Sequence, residues 1–359
     1  MYGNKNIFST KKAKLLLNSN YYSNEGEVMR WALIGASDIA QTRVLPAIRA
    51  NGDEAIVVRT GDLAHGEKWA KENSINEVVT DLDLMLSRPD IDAVYVSSLN
   101  SKHCEQVKAS ARAGKHVLSE KPLAMTVEDA RAMVHACEKA GVVMATNHHL
   151  PANPVHRKIK EMISAGEIGK VKAIRFHTAV QLPAHLVGWR TELKEQGGVI
   201  HEVSVHAAAA VAALLGSRAI SLNAIALNQD NDPSGPFDAV MTNILWEGGV
   251  LVSTHEAFNN PNLPTSLHVL GESGALVGEN CNTGDPVGTL SLVRNHKYSA
   301  VALDQPEDLY IRTVRFFKSA IDGVGQPIIS GVDGFNSLAV AVAIQESVLT
   351  GKRVDVARL

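Results

Sequence analysis

Two groups of residues in this 359-residue chain have the types and spacing for chemistry. The first is Glu120-Lys121-Pro122, inside AGKHVLSEKPLAMT, between a predicted strand and a predicted helix. A Lys ammonium can polarise a carbonyl oxygen and supply a proton as an electron pair arrives at the carbon. Pro122 fixes the local backbone, and a cis bond before it would aim the Lys. By itself the triplet is ordinary turn chemistry. The second group lies in GGVIHEVSVHAAAAV, where Glu202 and His206 stand four residues apart and share one face of a helical segment. An imidazole with a near-neutral pKa is a good proton donor to a developing alkoxide, and a carboxylate beside it can orient it. A His on an alanine-rich helix is also a plain packing residue, so His206 gains weight only together with Lys121.

The elements that must hold these groups alternate through the first half of the chain. RWALIG, EAIVVR, EVVT, IDAVYVSS, HVLSE and VVMATN read as strands, some nearly continuous in apolar residues, as strands covered on both faces are. Helices fall between them, the first over DIAQTRVLPAIRANG and the last over VEDARAMVHACEKAG, with Gly141 as its stop signal. This alternation implies a doubly wound parallel sheet, an α/β Rossmann domain, over residues 29–148. After Asn147 the rhythm changes. A helix from Val155 to Ala165 and an alanine-rich helix after His206 accompany the strand-like runs VKAIRFHTAVQL, AISLNAIAL, DAVMTNILW, GVLVSTHEA, TSLHVLG, GALVGE and TLSLVR. EGG between two of them is a hairpin signal. Residues 149–359 are therefore expected to form an α+β substrate domain with an open, mostly antiparallel sheet. Its last helices, Asp308 to Asp322 and Gly334 to Leu349, are free to pack back on the first domain.

Gly35-Ala36-Ser37-Asp38-Ile39-Ala40 sits at the first strand-to-helix turn, where backbone amides can seat a pyrophosphate and small residues let it approach. Against G-x-G-x-x-G the match is partial, with Ser37 for the middle Gly and Ala40 for the last. Its position at the head of the alternation is what points to a dinucleotide. An NAD-binding sheet usually carries an acid at the end of its second strand. Here that strand ends Val58-Arg59-Thr60, and the nearest acid, Asp62, lies further into the loop. A guanidinium and a hydroxyl suit a 2′-phosphate, so NADP(H) is favoured and NAD(H) is the alternative. A solvated Arg is the plainer reading of Arg59. Asn100, beyond the fourth strand, is placed for the ribose or the nicotinamide side, while His103 reads as a capping or packing residue.

Together, the Gly-rich turn, the EKP triplet and a Gly-Gly segment leading to a carboxylate and a His resemble one known family. It is the glucose–fructose oxidoreductase, inositol dehydrogenase and rhizopine-catabolism (Gfo/Idh/MocA) family, and the likeness runs over nearly everything from Met29 to Leu359. GASDIA, VLSEKPLAMT, ATNHHL and LPAHLVGWR resemble an NADPH-dependent branch of it. The resemblance implies that Lys121 is the active-site Lys and His206 the catalytic His, with Glu202 where most relatives carry Asp. It implies that Trp189 and Arg190 lie near the nicotinamide and the substrate, and that Ser37, with Gly35, Asp38 and Ile39, lies at the pyrophosphate. Thr60 and His65 fall where that branch contacts a 2′-phosphate, His65 replacing its Arg. Glu120 counts with Lys121 among the cofactor contacts, and His148 with Lys121, Trp189, Glu202 and His206 among the substrate contacts. Many relatives carry an acid just after the His, whereas here the run is Ala207 to Ala210.

Composition narrows the classes. The chain is 45% hydrophobic and 20% charged with a net charge of -3, which suits a globular enzyme and gives no basic face for nucleic acid. Cys104, Cys137 and Cys281 are far apart and odd in number, which fits the reducing cytoplasm and neither a disulfide framework nor a Cys metal site. No run approaches the roughly 18 apolar residues of a membrane span. His148, His149, His156, His177, His185 and His201 match no helical metal motif, and no metal is expected. Residues 1–28, rich in Asn, Ser, Lys and Tyr, read as a disordered leader or as sequence before a start at Met29. The sum is an NADP(H)-dependent oxidoreductase that reduces a ketone of a sugar-like substrate, as a monomer or homo-oligomer. The alternatives are an NAD-dependent polyol, inositol or sugar dehydrogenase, an NAD-assisted glycosidase, and a non-catalytic dinucleotide sensor. A sensor has no need of the proton donors Lys121 and His206.

Overall fold

The computed structural model describes residues 28–193, 197–230 and 232–359, so residues 1–27, on which the leader expectation rests, lie outside the described residues. Six strands build the first sheet: β1 (Arg30–Ile34), β2 (Glu54–Arg59), β3 (Val78–Val79), β4 (Ala93–Val96), β5 (His116–Ser119) and β6 (Met144–Thr146). All pair in parallel, in the order β3-β2-β1-β4-β5-β6. That order reverses between β1 and β4, and a doubly wound sheet opens its ligand crevice at such a point, beyond the carboxyl ends of the strands. The apolar runs explain these strands, since Trp31 to Ile34 and Ala93 to Val96 have no exposed surface. EVVT contributes only two paired residues because β3 is an edge with a single neighbour. The first helix opens as a wide π turn over Ala40–Val44 before the α-helix Leu45–Ala50. Pro46, with no amide to donate, stands where the two geometries meet.

The second sheet has nine strands: β7 (Val171–Ala179), β8 (Ala219–Leu227), β9 (Ala239–Trp246), β10 (Val250–Ala257), β11 (Ser266–Gly271), β12 (Ala275–Glu279), β13 (Thr289–Arg294), β14 (Lys297–Ala300) and β15 (Val354–Asp355). Their order is β14-β13-β12-β11-β7-β10-β9-β8-β15, antiparallel throughout except for the central β7–β10 pair. The short β14 and β15 were not legible as strands, one being exposed along its length and the other two residues long. Period-two alternation sorts the faces. Val252, Thr254 and Glu256 of β10 turn inward, while Leu251 joins Ile225, Leu227 and Met241 on an exposed face. Helices Pro154–Ser164 and Gly331–Thr350 and the turn Ile200–Ser204 pack on the inner side.

The late helices tie the halves together. Helix Leu309–Ile321 lies on the first sheet's helix layer, with the Phe317 ring 5.4 Å from Trp31 and Lys318 paired with Asp53. Helix Gly331–Thr350 presses on β6, and a Cβ on Gly334 would come within 2.0 Å of Thr146 Oγ1. Glycine permits that approach, and it brings Ser337, one turn further on, to the end of β6. Among the described residues, no helix is long and apolar enough to cross a membrane.

Candidate active site

β1 ends on Gly35 at φ +117°, where a Cβ would meet the Ser97 and Ser98 backbone at 2.9 Å. The turn is therefore seated against the end of β4. Ser37 donates to Ser97 Oγ at 2.8 Å and accepts from the Ala40 amide at 3.2 Å. Asp38 is exposed and Ile39 half-buried. His65 reaches back to this turn, its Nε2 lying 3.1 Å from the Ala36 carbonyl. Arg59 donates through Nε to the Thr80 carbonyl at 3.1 Å, and the Thr60 hydroxyl turns into its own loop toward the Asp62 carbonyl at 3.2 Å. Asp62 caps helix Leu63–Glu72 by accepting from the His65 amide at 3.1 Å, so the acid nearest β2 is already engaged. Asn100 is only 8% exposed, and its Nδ2 has no partner. A buried unpaired amide at the crevice and a glycine turn with no room for a side chain fit an NAD(P) dinucleotide. The Gly35–Ser37 turn would hold the pyrophosphate, and Asn100 a ribose or carboxamide oxygen.

At the chemical end, Glu120, Lys121 and Pro122 follow β5, and the Lys121–Pro122 bond is cis. The Glu120 carboxylate accepts from the Tyr95 hydroxyl at 2.6 Å and the Asn147 amide at 2.5 Å, and it also meets the Lys121 amide at 3.2 Å. Those contacts turn it inward. It clamps the start of the Lys121 segment. Burial raises its pKa against the pull of Tyr95, Asn147 and Lys121. His103 acts from the other side, its ring nitrogens 3.1 Å from the Pro122 carbonyl and 3.2 Å from that of Ser98.

Lys121 Nζ lies 3.2 Å from Glu202 Oε2 and 3.3 Å from the Glu202 carbonyl. Arg190 Nε meets the same Oε2 at 3.0 Å. Burial alone would raise the Glu202 pKa, but the Lys121 and Arg190 charges outweigh it and hold the carboxyl below its usual range. Trp189 opens the short helix Trp189–Glu192 that carries Arg190, and its side chain is outside the described residues. Glu202 sits in a π turn, Ile200–Ser204, that runs into the α-helix Val205–Leu215 carrying His206. The four-residue spacing thus crosses a change of helix type, and both side chains still address the Lys121 region.

His206 Nδ1 lies 3.1 Å from His148 Nδ1, and the His149 ring centroid is 4.8 Å from that of His206. Burial pushes the His206 pKa well below its ordinary value, helped by His149, Lys121 and His148. Burial likewise pushes His148 and His149 down to about 3. All three rings are therefore neutral near pH 7. His148 is 1% exposed, and its two nitrogens meet His206 Nδ1 and Ser337 Oγ at 3.1 Å each. The orienting partner missing from the Ala207–Ala210 run is supplied by this other segment.

Sequence reasoning missed several residues of the site. Asn147 was within reach: β6 pairs with β5, Ser119 lies opposite Thr146, and Asn147 must then stand beside Glu120. Tyr95, Ser337 and Tyr310, whose hydroxyl is 3.3 Å from His149 Nδ1, gave no local signal.

Comparison with known proteins places this geometry. The family model described as the oxidoreductase family with an NAD-binding Rossmann fold matches residues 29–148, and the GFO/IDH/MocA C-terminal domain matches residues 156–277. The chain is 43% identical over 328 residues to 1,5-anhydro-D-fructose reductase of Ensifer adhaerens, covering 91% of this chain and 98% of that one. It is 26% identical to D-xylose 1-dehydrogenase (NADP(+)) 2 of Haloferax volcanii, over 91% of this chain and 99% of the relative. The fold is similar to levoglucosan dehydrogenase in complex with NADH, with a TM-score of 0.82 at 21% identity over 93% of this chain and 100% of that one. With both of its family models matched over most of the chain and a relative 43% identical over nearly its full length, the chain belongs to the Gfo/Idh/MocA family of oxidoreductases.

Proposed function

We propose that the protein is an NADP(H)-dependent reductase acting on a ketone of a sugar-like substrate, with 1,5-anhydro-D-fructose the first candidate. The observation that carries this reading is the shared grip of Lys121 and Arg190 on Glu202, one helical turn before His206. When bound, a reduced nicotinamide supplies the hydride. Lys121 then has two tasks: its ammonium draws charge onto the carbonyl oxygen, and it stands as the proton source beside that oxygen. Glu202 fixes the Lys121 side chain and, with Arg190, keeps two cations from repelling each other in a half-closed site. His206, one turn beyond Glu202, brings a neutral imidazole to the same site. Arg190 and Asn100 position substrate and cofactor.

The preference for the 2′-phosphate rests on Arg59 at the end of β2 and on Asp62, whose carboxylate is engaged in capping a helix. The 43% identity to 1,5-anhydro-D-fructose reductase supports the substrate class. A panel of keto sugars, beginning with 1,5-anhydro-D-fructose, tests both points through loss of dihydronicotinamide absorbance. The expected result is turnover with NADPH at least about tenfold faster than with NADH, the size of one lost charge-assisted contact. Faster oxidation of polyols with NAD than any reduction with NADPH would reverse the direction and the cofactor together.

A further inference from the structure

The hydrogen bonds around His206 bear on where its proton sits. Ser337 Oγ lies 2.9 Å from the Gly334 carbonyl of its own helix, nearer than its other partner His148 Nε2 at 3.1 Å, and we assign the hydroxyl proton to that carbonyl. With its own proton committed, the oxygen can only accept from that nitrogen, which makes His148 the Nε2–H tautomer. A neutral His148 then presents a lone pair at Nδ1. That lone pair faces His206 Nδ1 at 3.1 Å, and two lone pairs cannot share such a distance. On that assignment His206 carries its proton on Nδ1, and Nε2 is left as its unprotonated nitrogen. Burial of His148, only 1% exposed, keeps that ring neutral, as the chain of bonds requires.

We propose that His148, anchored by Ser337, is a positioning residue that locks His206 as the Nδ1–H tautomer, so that its Nε2 meets the substrate as a hydrogen-bond and proton acceptor. The proposal deepens the reading of the protein as a sugar-ketone reductase and rests on it for the identity of the reaction. It divides the labour at the site. In reduction, the oxygen that gains an electron pair takes its proton from Lys121 Nζ, leaving a neutral amine that recovers a proton from solvent. His206 Nε2 meanwhile accepts a hydrogen bond from a substrate hydroxyl and orients it. In the reverse direction, Nε2 takes the hydroxyl proton. The groups facing His206 reinforce this state. Lys121 from the β5 side and His148 and His149 from the end of β6 all disfavour a charge on it. Tyr310 stacks on His149, with Arg43, paired to Asp285, over its ring.

Two measurements test the lock. The first is the 15N shifts of the imidazole nitrogens in the full-length protein, with His206 and His148 assigned by loss of their signals in His206→Gln and His148→Gln. The expected pattern is Nδ1–H for His206 and Nε2–H for His148, and Nε2–H on His206 overturns the proposal. The second compares His148→Leu with His148→Gln, because Gln keeps both an acceptor and a donor. The expected result is a fall in kcat of about 10- to 100-fold for the Leu variant with its cofactor KM unchanged, and recovery to within about tenfold of wild type for Gln. The Leu variant is also expected to show a shifted pH profile, as a free ring changes tautomer. Equal damage from Leu and Gln, or an unchanged rate and profile in a folded Leu variant, refutes it. The tautomers are read without turnover. If they are as expected while no keto sugar is reduced, the reaction assignment fails and the lock stands.

Discussion

Glu202 and Glu256 are both buried, at 8% and 0% exposure, yet the protein holds them in opposite states. Glu202 shares its Oε2 with Lys121 at 3.2 Å and Arg190 at 3.0 Å, and it stays ionised. Glu256, on the inner face of β10, receives the Thr254 hydroxyl at 3.0 Å, with the Ser204 hydroxyl also beside it. Burial pushes its pKa up to about 8, and the neighbouring hydroxyls only partly offset this. Loss of water penalises both carboxylates alike, so the difference lies in the company each keeps. Two cations repay the cost of burying a charge, and one or two hydroxyls do not. The ionised acid accordingly sits where chemistry needs fixed charge, and the neutral one lies in the packed layer between that site and the sheet.

Breaking the ionised side should have the largest effect. Lys121→Ala removes one cation from Glu202 and the proposed proton source, and should lower kcat/KM on a proven substrate by about 1,000-fold or more. Near wild-type turnover would show that the charged pair is structural and would withdraw the roles given to Lys121. The next effect is on stability and falls on the other acid. The folded pKa of Glu256 is raised, so as pH climbs from the ordinary carboxylate range toward about 8, the unfolded chain loses a proton that the folded one keeps. Wild-type stability should therefore fall across that window. Glu256→Gln cannot ionise, and its unfolding free energy should exceed that of wild type by up to about 4 kcal/mol near pH 8 and by little near pH 5. A constant difference between the two proteins across the window, measured by denaturant titration, would place Glu256 in the same ionised class as Glu202. The smallest change sharpens the contrast. Thr254→Val deletes a bond that favours the charged form of Glu256, and should cost about 1 kcal/mol, mostly above the Glu256 pKa.

Much of this was legible before the fold was seen. Lys121 could be found because a strand end is a local feature, and an alternating sheet places every strand end on one rim. The same logic located Gly35 and Asn100. The pairing of Lys121 with Glu202 was a matter of joining two motifs. Glu256 was invisible, because VLVSTHEA reads as an ordinary strand with an acid near its end. Whether that acid points to solvent or into the core depends on what packs over β10, and the turn Ile200–Ser204 that does so lies about fifty residues away in sequence. Ser337 was equally silent, being one hydroxyl inside a twenty-residue apolar helix.

By itself the sequence determined the two architectures, the crevice where they meet and the residue types brought to it. Periodicity and turn chemistry are properties of neighbouring residues, and burial of the matching faces follows from them. Only the tertiary structure decided protonation: which carboxyl is charged and which imidazoles are neutral. Those states depend on water excluded and on partners delivered from elements far apart in the chain, and local order along the chain carries no record of either.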